Sequence, residues 1–163
     1  MQLAPGGRGV AVAQWFLAVL LPVWMVIGRA ILGAQLGWMV VLGILWGPVL
    51  VVLLLVPPIV TLFDAAARRA GGVRQAYAVS MYVVWGALFL SGFAIVDAGD
   101  AALGSSLLTQ WTALSEDASD VLFLVLLGVA LLGWVAAIVA AALGIAAARR
   151  EPLPLDTPAG PPA

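Results

Sequence analysis

The stretch that decides the fold is Trp38–Leu62, which reads WMVVLGILWGPVLVVLLLVPPIVTL and contains no charged residue. A helix needs about 20 consecutive apolar residues to cross the hydrocarbon core of a bilayer. Inside hydrocarbon the backbone must satisfy its own hydrogen bonds, so a single spanning segment is expected to be helical. This stretch therefore predicts a transmembrane helix.

Three other long apolar stretches without a charged residue flank it, and the four predicted helices cover residues 10–27, 38–62, 76–96 and 121–147. The fold class that follows is an all-α membrane protein, with four transmembrane helices in an up-down-up-down bundle. We expect residues 1–150 to form this domain. Residues 151–163 contain five of the ten prolines, which predicts a disordered, Pro-rich cytoplasmic tail.

The composition excludes several classes of protein. Of the 163 residues, 64% are hydrophobic and 9% are charged, whereas a soluble domain has about 45–50% apolar and about 25% charged residues. The chain lacks Cys, His and Lys, which excludes thiolate, imidazole and Schiff-base chemistry. We therefore predict a protein that is not an enzyme, with no catalytic residue, no cofactor and no metal site. The scattered arginines and the net charge of −1 also argue against a nucleic-acid partner.

The distribution of arginine predicts the orientation. If the helices alternate, six of the seven arginines share one side of the membrane, namely Arg8, Arg68, Arg69, Arg74, Arg149 and Arg150. Basic residues favour the cytoplasmic side, so both termini are predicted to be cytoplasmic. The architecture is typical of small bacterial proteins of the inner (plasma) membrane.

The predicted outer side carries the remaining features. Arg29 lies just beyond the first apolar stretch, where a long side chain can reach the headgroups, and we predict that Arg29, Trp38 and Trp111 anchor the protein at this interface. In the outer loop, residues 97–120, apolar residues with helical spacing predict a helix over 103–114 that lies on the outer leaflet or caps the bundle. The alternative to a loop without a metal is a cation site formed by the acidic side chains of this loop.

Small residues predict where helices meet. Gly43 and Gly47 form a GxxxG motif in the second helix, and the fourth helix repeats Gly133, Ala137 and Ala141 at intervals of four. Small side chains let helix backbones approach closely, and van der Waals contact then drives association. The pattern fits packing within the chain, with a second copy, or with another membrane subunit.

Two functions fit these features best. No acid lies within the predicted spans, which argues against a proton-coupled pump. We expect a non-enzymatic accessory, assembly or scaffold subunit in contact with the lipid bilayer. The alternative is a small oligomeric permease or channel, which would use the prolines of the second helix and pore-lining residues such as Ser80 and Ser91. A third possibility is an enzyme acting on lipid, with Asp64 and Arg68 or Arg69 at the inner surface.

Overall fold

The computed structural model describes residues 2–34, 36–99 and 102–150. The predicted tail, residues 151–163, lies outside this part of the chain, as does Asp100. In chain order the elements are α1 (Gly7–Val26), a 3₁₀ helix (Gly28–Leu32), α2 (Trp38–Thr61), α3 (Ala65–Arg69), α4 (Gln75–Ala94), β1 (Asp97–Gly99), β2 (Ala102–Ser105), α5 (Leu107–Trp111) and α6 (Glu116–Arg150).

The protein is mostly helical (80%), and α1, α2, α4 and α6 are long and apolar enough to cross a membrane. The prediction of four candidate spanning helices is confirmed. Helix α6 has 35 residues and extends beyond the predicted 121–147 at both ends. At 1.5 Å per residue it is about 52 Å long, more than the roughly 30 Å hydrocarbon core. The first and last turns of α6 contain charged residues, so a prediction from hydropathy alone leaves these turns out of the helix.

The segment between α4 and α6 differs from the predicted helix over 103–114. Its first part forms an antiparallel hairpin, in which Asp97 of β1 lies opposite Ser105 of β2. Helix α5 begins only after Ser106, whose side chain accepts a hydrogen bond from the Thr109 backbone N–H in a capping box. The predicted helix therefore starts too early. Apolar spacing does not reveal the cap at Ser106, and the residues before it, 102–105, form a strand instead.

Helix α4 is the most deeply buried of the four. Ten of its 20 residues are buried, whereas α2 buries only Leu54, Pro57 and Pro58 of its 24. Helix α4 packs against both α1 and α6, and α2 also contacts these two helices. The apolar residues that remain exposed on all four helices are consistent with contact to lipid.

Small residues line the contact between α4 and α6. Ala137 and Ala141 are 0% and 4% exposed. A Cβ atom added to Gly133 would lie 3.1 Å from Val84 Cγ2. Of the predicted packing residues of the last helix, Gly133 therefore lies close to α4, and Ala137 and Ala141 are buried.

The prolines of α2 are linked to a tryptophan of α6. Pro57 has no N–H, so the carbonyl of Leu53, four residues earlier, lacks its usual helical donor. Trp134 Nε1 donates to this carbonyl oxygen at 2.7 Å. The bond satisfies the indole N–H of a tryptophan near the centre of a helix and joins α6 to α2 where α2 lacks a backbone hydrogen bond.

Candidate functional site

Two buried ion pairs hold the connections at opposite ends of the bundle. Arg29 pairs with Asp97, and both side chains are 0% exposed. Asp64 pairs with Arg74, and their side chains are 3% and 7% exposed. Buried charges are rare unless they are paired, so these four residues are the strongest candidates for specific roles.

The Arg29–Asp97 pair joins three helices. Arg29 Nη2 donates to Asp97 Oδ2 at 2.5 Å, and Nη1 donates to the Ile95 carbonyl oxygen at 3.2 Å. The Asp97 carboxylate also accepts from the backbone N–H groups of Gly37 and Met39, at 2.9 and 3.0 Å. Asp97 thus caps the start of α2, where Gly37 itself has no side chain that could do so. The pair fixes the ends of α1 and α4 to the start of α2.

The structure corrects the predicted role of Arg29. A headgroup contact needs an exposed guanidinium, and this residue is fully buried. Burial lowers the pKa of Arg29, and the neighbouring Asp97 carboxylate opposes that shift. An arginine stays protonated in a protein, so the cation inside the fold is balanced by Asp97. The other two predicted anchors, Trp38 and Trp111, are 58% and 56% exposed.

The Asp64–Arg74 pair joins the helices at the other end. Asp64 caps α3 by accepting from the backbone N–H groups of Ala66 and Ala67, and its Oδ2 accepts from Arg74 Nε at 2.6 Å. Burial raises the pKa of the Asp64 carboxyl, but the hydrogen bonds from Arg74 and from these backbone groups outweigh it, and the net pKa is below its ordinary value. Asp64 is therefore held as a carboxylate.

Gly144 provides the space for this second pair. Arg74 Nη2 donates to the Gly144 carbonyl oxygen at 3.1 Å, which brings the ion pair onto α6. A Cβ added to Gly144 would lie 2.7 Å from Asp64 Oδ2 and 2.8 Å from Arg74 Nε. Only glycine leaves room for the pair at this position.

Other polar side chains of the helices and of the segment before α6, some buried and Ser80 half-buried, are bonded within the protein. The Tyr77 hydroxyl donates to Gln14 Oε1 at 2.7 Å. The hydroxyls of Ser80 and Ser91 donate to carbonyls of their own helix, those of Ala76 and Leu88. At the end of the bundle that carries Asp97, the buried Ser119 hydroxyl donates to the Ala94 carbonyl. These groups stabilise packing and are already hydrogen-bonded.

Apolar side chains line two hollows between the candidate spanning helices. A cavity of about 190 Å³ lies between α2, α4 and α6 and is lined by residues that include Leu54, Leu88, Ala130 and Trp134. A groove of about 540 Å³ lies between α1 and α2, beside Pro22 and Pro48. Neither lining includes a charged residue, Ser or Thr.

The predicted GxxxG motif divides between two environments. A Cβ on Gly43 would lie 2.3 Å from Val26 Cγ2, so Gly43 permits the close contact between α2 and α1. A Cβ on Gly47 would meet nothing within 4 Å, and Gly47 lines the groove. The two glycines therefore have different environments although they lie one turn apart.

The other residues proposed for chemistry are not brought together. Asp64 bonds Arg74, whereas Arg68 and Arg69 are exposed, and Arg68 Nη1 donates to the Leu62 carbonyl oxygen. In residues 2–34, 36–99 and 102–150, no group of three or more acidic side chains is arranged to hold a metal ion. No family model matches the sequence, and neither a curated protein nor a solved structure was found to be similar to it.

Sequence reasoning did not assign roles to Asp97 and Arg74. A signal for the first was present, because Arg29 and Asp97 have opposite charges and each lies at the end of an apolar stretch on the same predicted side. Asp64 and Arg74 likewise lie in one short connection. An opposite pair at one membrane depth is a reason to expect an ion pair.

Proposed function

We propose that this chain is a non-enzymatic accessory, assembly or scaffold subunit of a membrane, with its four helices arranged up-down-up-down. Its partner would be an apolar transmembrane helix of another membrane subunit, which packs against α2. Three features support this proposal: the exposure of α2, the open surface at Gly47, and the bonded polar groups of the interior.

The exposure of α2 is the observation on which the proposal rests. In the most hydrophobic 18-residue window of each spanning helix, α2 has 6% of its residues buried, the lowest value of the four; α4 has 44%. Helix α2 therefore has the most surface free for another helix. It contains no charged residue, so a matching partner helix must be apolar as well.

Gly47 provides a surface on which helices can pack closely. Lipid tails are as apolar as leucine, so helix association in a membrane depends on close backbone contact and hydrogen bonding. The open space above Gly47, beside the groove near Pro22 and Pro48, allows a helix to approach the α2 backbone. Gly43 cannot serve in this way because Val26 fills the space next to it.

Photo-crosslinking in the native membrane tests this proposal. A photoreactive residue at Ile44 of α2, which lines the same groove as Gly47 and is 69% exposed, is compared with one at Leu132 of α6, which is 72% exposed. We expect a protein adduct of one defined mass at Ile44 and none at Leu132. Gly47→Leu should abolish the adduct and leave the Tm in detergent unchanged, because an added Cβ meets no atom within 4 Å and the groove gives space for the rest of the side chain.

Gly43→Leu is the matched comparison, since it should lower the Tm by clashing with Val26. An adduct of twice the chain mass would show that the partner of α2 is a second copy of this chain and not another subunit. Equal adducts at both positions, or lipid adducts alone, would rule out a helix-binding role for α2.

The polar groups of the interior favour a subunit over the alternative of a permease or channel. A transport path needs polar groups that can bind a passing solute. Ser80 and Ser91 bond carbonyls of their own helix instead, and the central cavity is lined by apolar side chains. These contacts support a closed bundle.

We also propose that both termini lie in the cytoplasm of a bacterial cell. Five exposed arginines at one end of the bundle support this orientation. Because the chain has no cysteine, single cysteines can report it. In spheroplasts, an impermeant maleimide should label Ala113→Cys, and should label Ala70→Cys only after lysis, both positions being exposed. The opposite labelling pattern would show that both termini lie outside the cytoplasm.

A further inference from the structure

Each of the two buried ion pairs removes one positive and one negative charge from the surface at its end of the bundle. Asp64 neutralises Arg74, and Asp97 neutralises Arg29, so these four residues contribute no net charge at the surface. The exposed acids Glu116, Asp117 and Asp120 all lie at the start of α6. The exposed basic side chains form a set that we term the arginine end: Arg8, Arg68, Arg69, Arg149 and Arg150.

Contacts place these five arginines at one end of the bundle. A Cβ on Gly71 would lie 3.4 Å from Arg8 Nε, so Arg8 reaches the turn that follows Arg69. The chain before α1 also bonds this region, where the Ala4 N–H donates to the Val73 carbonyl oxygen at 2.9 Å. The last turn of α6 follows Gly144, whose carbonyl accepts from Arg74. Three separate segments thus bring their arginines to the same surface.

None of the five arginines has an acidic partner within the described part of the chain, where the ion pairs are those of Arg29 and Arg74. The one described acid at this end, Asp64, is 2% exposed and bonded to Arg74. The surface therefore carries five positive charges that its own described residues do not balance. A guanidinium binds phosphate oxygens through paired, charge-assisted hydrogen bonds.

Apolar side chains adjoin this surface, which favours lipid over a soluble anion. Leu62 and Phe63 are 47% and 70% exposed, and Arg68 Nη1 donates to the Leu62 carbonyl oxygen. Both residues directly follow the spanning helix α2. Charge for a headgroup and apolar surface for acyl chains are thus adjacent at the end of a membrane-crossing helix.

We propose that the arginine end is a binding surface for the headgroups of anionic phospholipids. The guanidinium groups bind the headgroup phosphates, and Leu62 and Phe63 contact the upper part of the acyl chains. Binding here does not depend on a partner for α2, so failure of one proposal leaves the other intact.

Native mass spectrometry of the full chain in detergent tests this surface. Phosphatidylglycerol and phosphatidylcholine with identical acyl chains are added in competition, and the bound ratio is measured. The wild type should prefer phosphatidylglycerol. We expect Arg149→Gln with Arg150→Gln to lower this preference by about five-fold for each arginine removed, and Arg8→Gln with Arg69→Gln to do the same. Unchanged Tm values in detergent would verify that both variants fold.

A matched control makes the same change in charge at the other end of the bundle. Ala113→Glu with Ser115→Asp lowers the net charge by two at exposed positions, and aspartate retains the ability of residue 115 to accept from the Ala118 N–H. This variant should keep the preference for phosphatidylglycerol, and inorganic phosphate at the same concentration should not displace the lipid. Equal binding of the two lipids, an equal loss in the control, or displacement by phosphate would overturn the proposal.

Discussion

Replacing Arg29 by methionine is expected to lower the free energy of unfolding by about 3–5 kcal/mol, because it leaves Asp97 as a buried charge without its cation. Methionine retains an apolar stem of similar shape, so the lost charge dominates the result. Asp97 keeps the backbone N–H groups of Gly37 and Met39 as donors, and these compensate for only part of the missing charge. Equilibrium unfolding in mixed micelles, followed by tryptophan fluorescence, measures the change.

A double-mutant cycle isolates the contribution of the pair. Arg29→Met with Asp97→Leu removes both charges, so it should cost clearly less than the sum of the two single changes. Some cost should remain because Gly37 and Met39 lose the acceptor of their N–H groups. Strictly additive losses would mean that Arg29 and Asp97 stabilise the fold independently, and the ion pair would then not be the feature that fastens this end.

The four candidate spanning helices could be predicted because hydrocarbon imposes a simple rule. A long uncharged stretch such as Trp38–Leu62 can satisfy its backbone only as a helix. Predicting the ion pairs requires a different kind of information, namely which helix ends lie next to each other. Arg29 and Asp97 are 68 residues apart, and hydropathy treats each as an isolated charge. The prediction of an anchor at Arg29 followed from treating it alone.

The segment before α6 illustrates a second limit. Helical spacing identified the region of α5, but the start of that helix depends on the cap at Ser106 and on the pairing of β1 with β2. Both are local hydrogen-bond arrangements that compete with apolar periodicity. The hydrogen-bond partner of Trp134 could not be predicted either. Its prediction requires two facts together: Pro57 leaves the Leu53 carbonyl without a helical donor, and α6 lies beside that carbonyl.

Glycine spacing shows most clearly what the sequence leaves open. Gly43 and Gly47 have equal weight in a GxxxG motif, yet only Gly43 lies against another helix of the chain. Gly144 has a specific role because its missing side chain accommodates an ion pair from another part of the chain. A motif identifies positions where close approach is possible, and the neighbours decide where it occurs.

Gly144→Ala is therefore expected to destabilise the protein by about 3 kcal/mol or more, whereas Gly128→Ala in the same helix should stabilise it by up to about 1 kcal/mol. Alanine is the better helix former, so both changes gain from helix propensity. At Gly128 the added Cβ meets nothing within 4 Å, and the gain is expected to be observed directly.

At Gly144 the same atom would lie 2.7 Å from Asp64 Oδ2 and 2.8 Å from Arg74 Nε. These two atoms already form a 2.6 Å hydrogen bond, so neither can move away without stretching a buried ion pair, and the cost combines overpacking with a weakened pair. Unfolding of both variants in the same micelles gives the comparison. If Gly144→Ala were as stable as Gly128→Ala, the ion pair would have to tolerate a displacement of several tenths of an ångström, and its close fit against α6 would not contribute to stability.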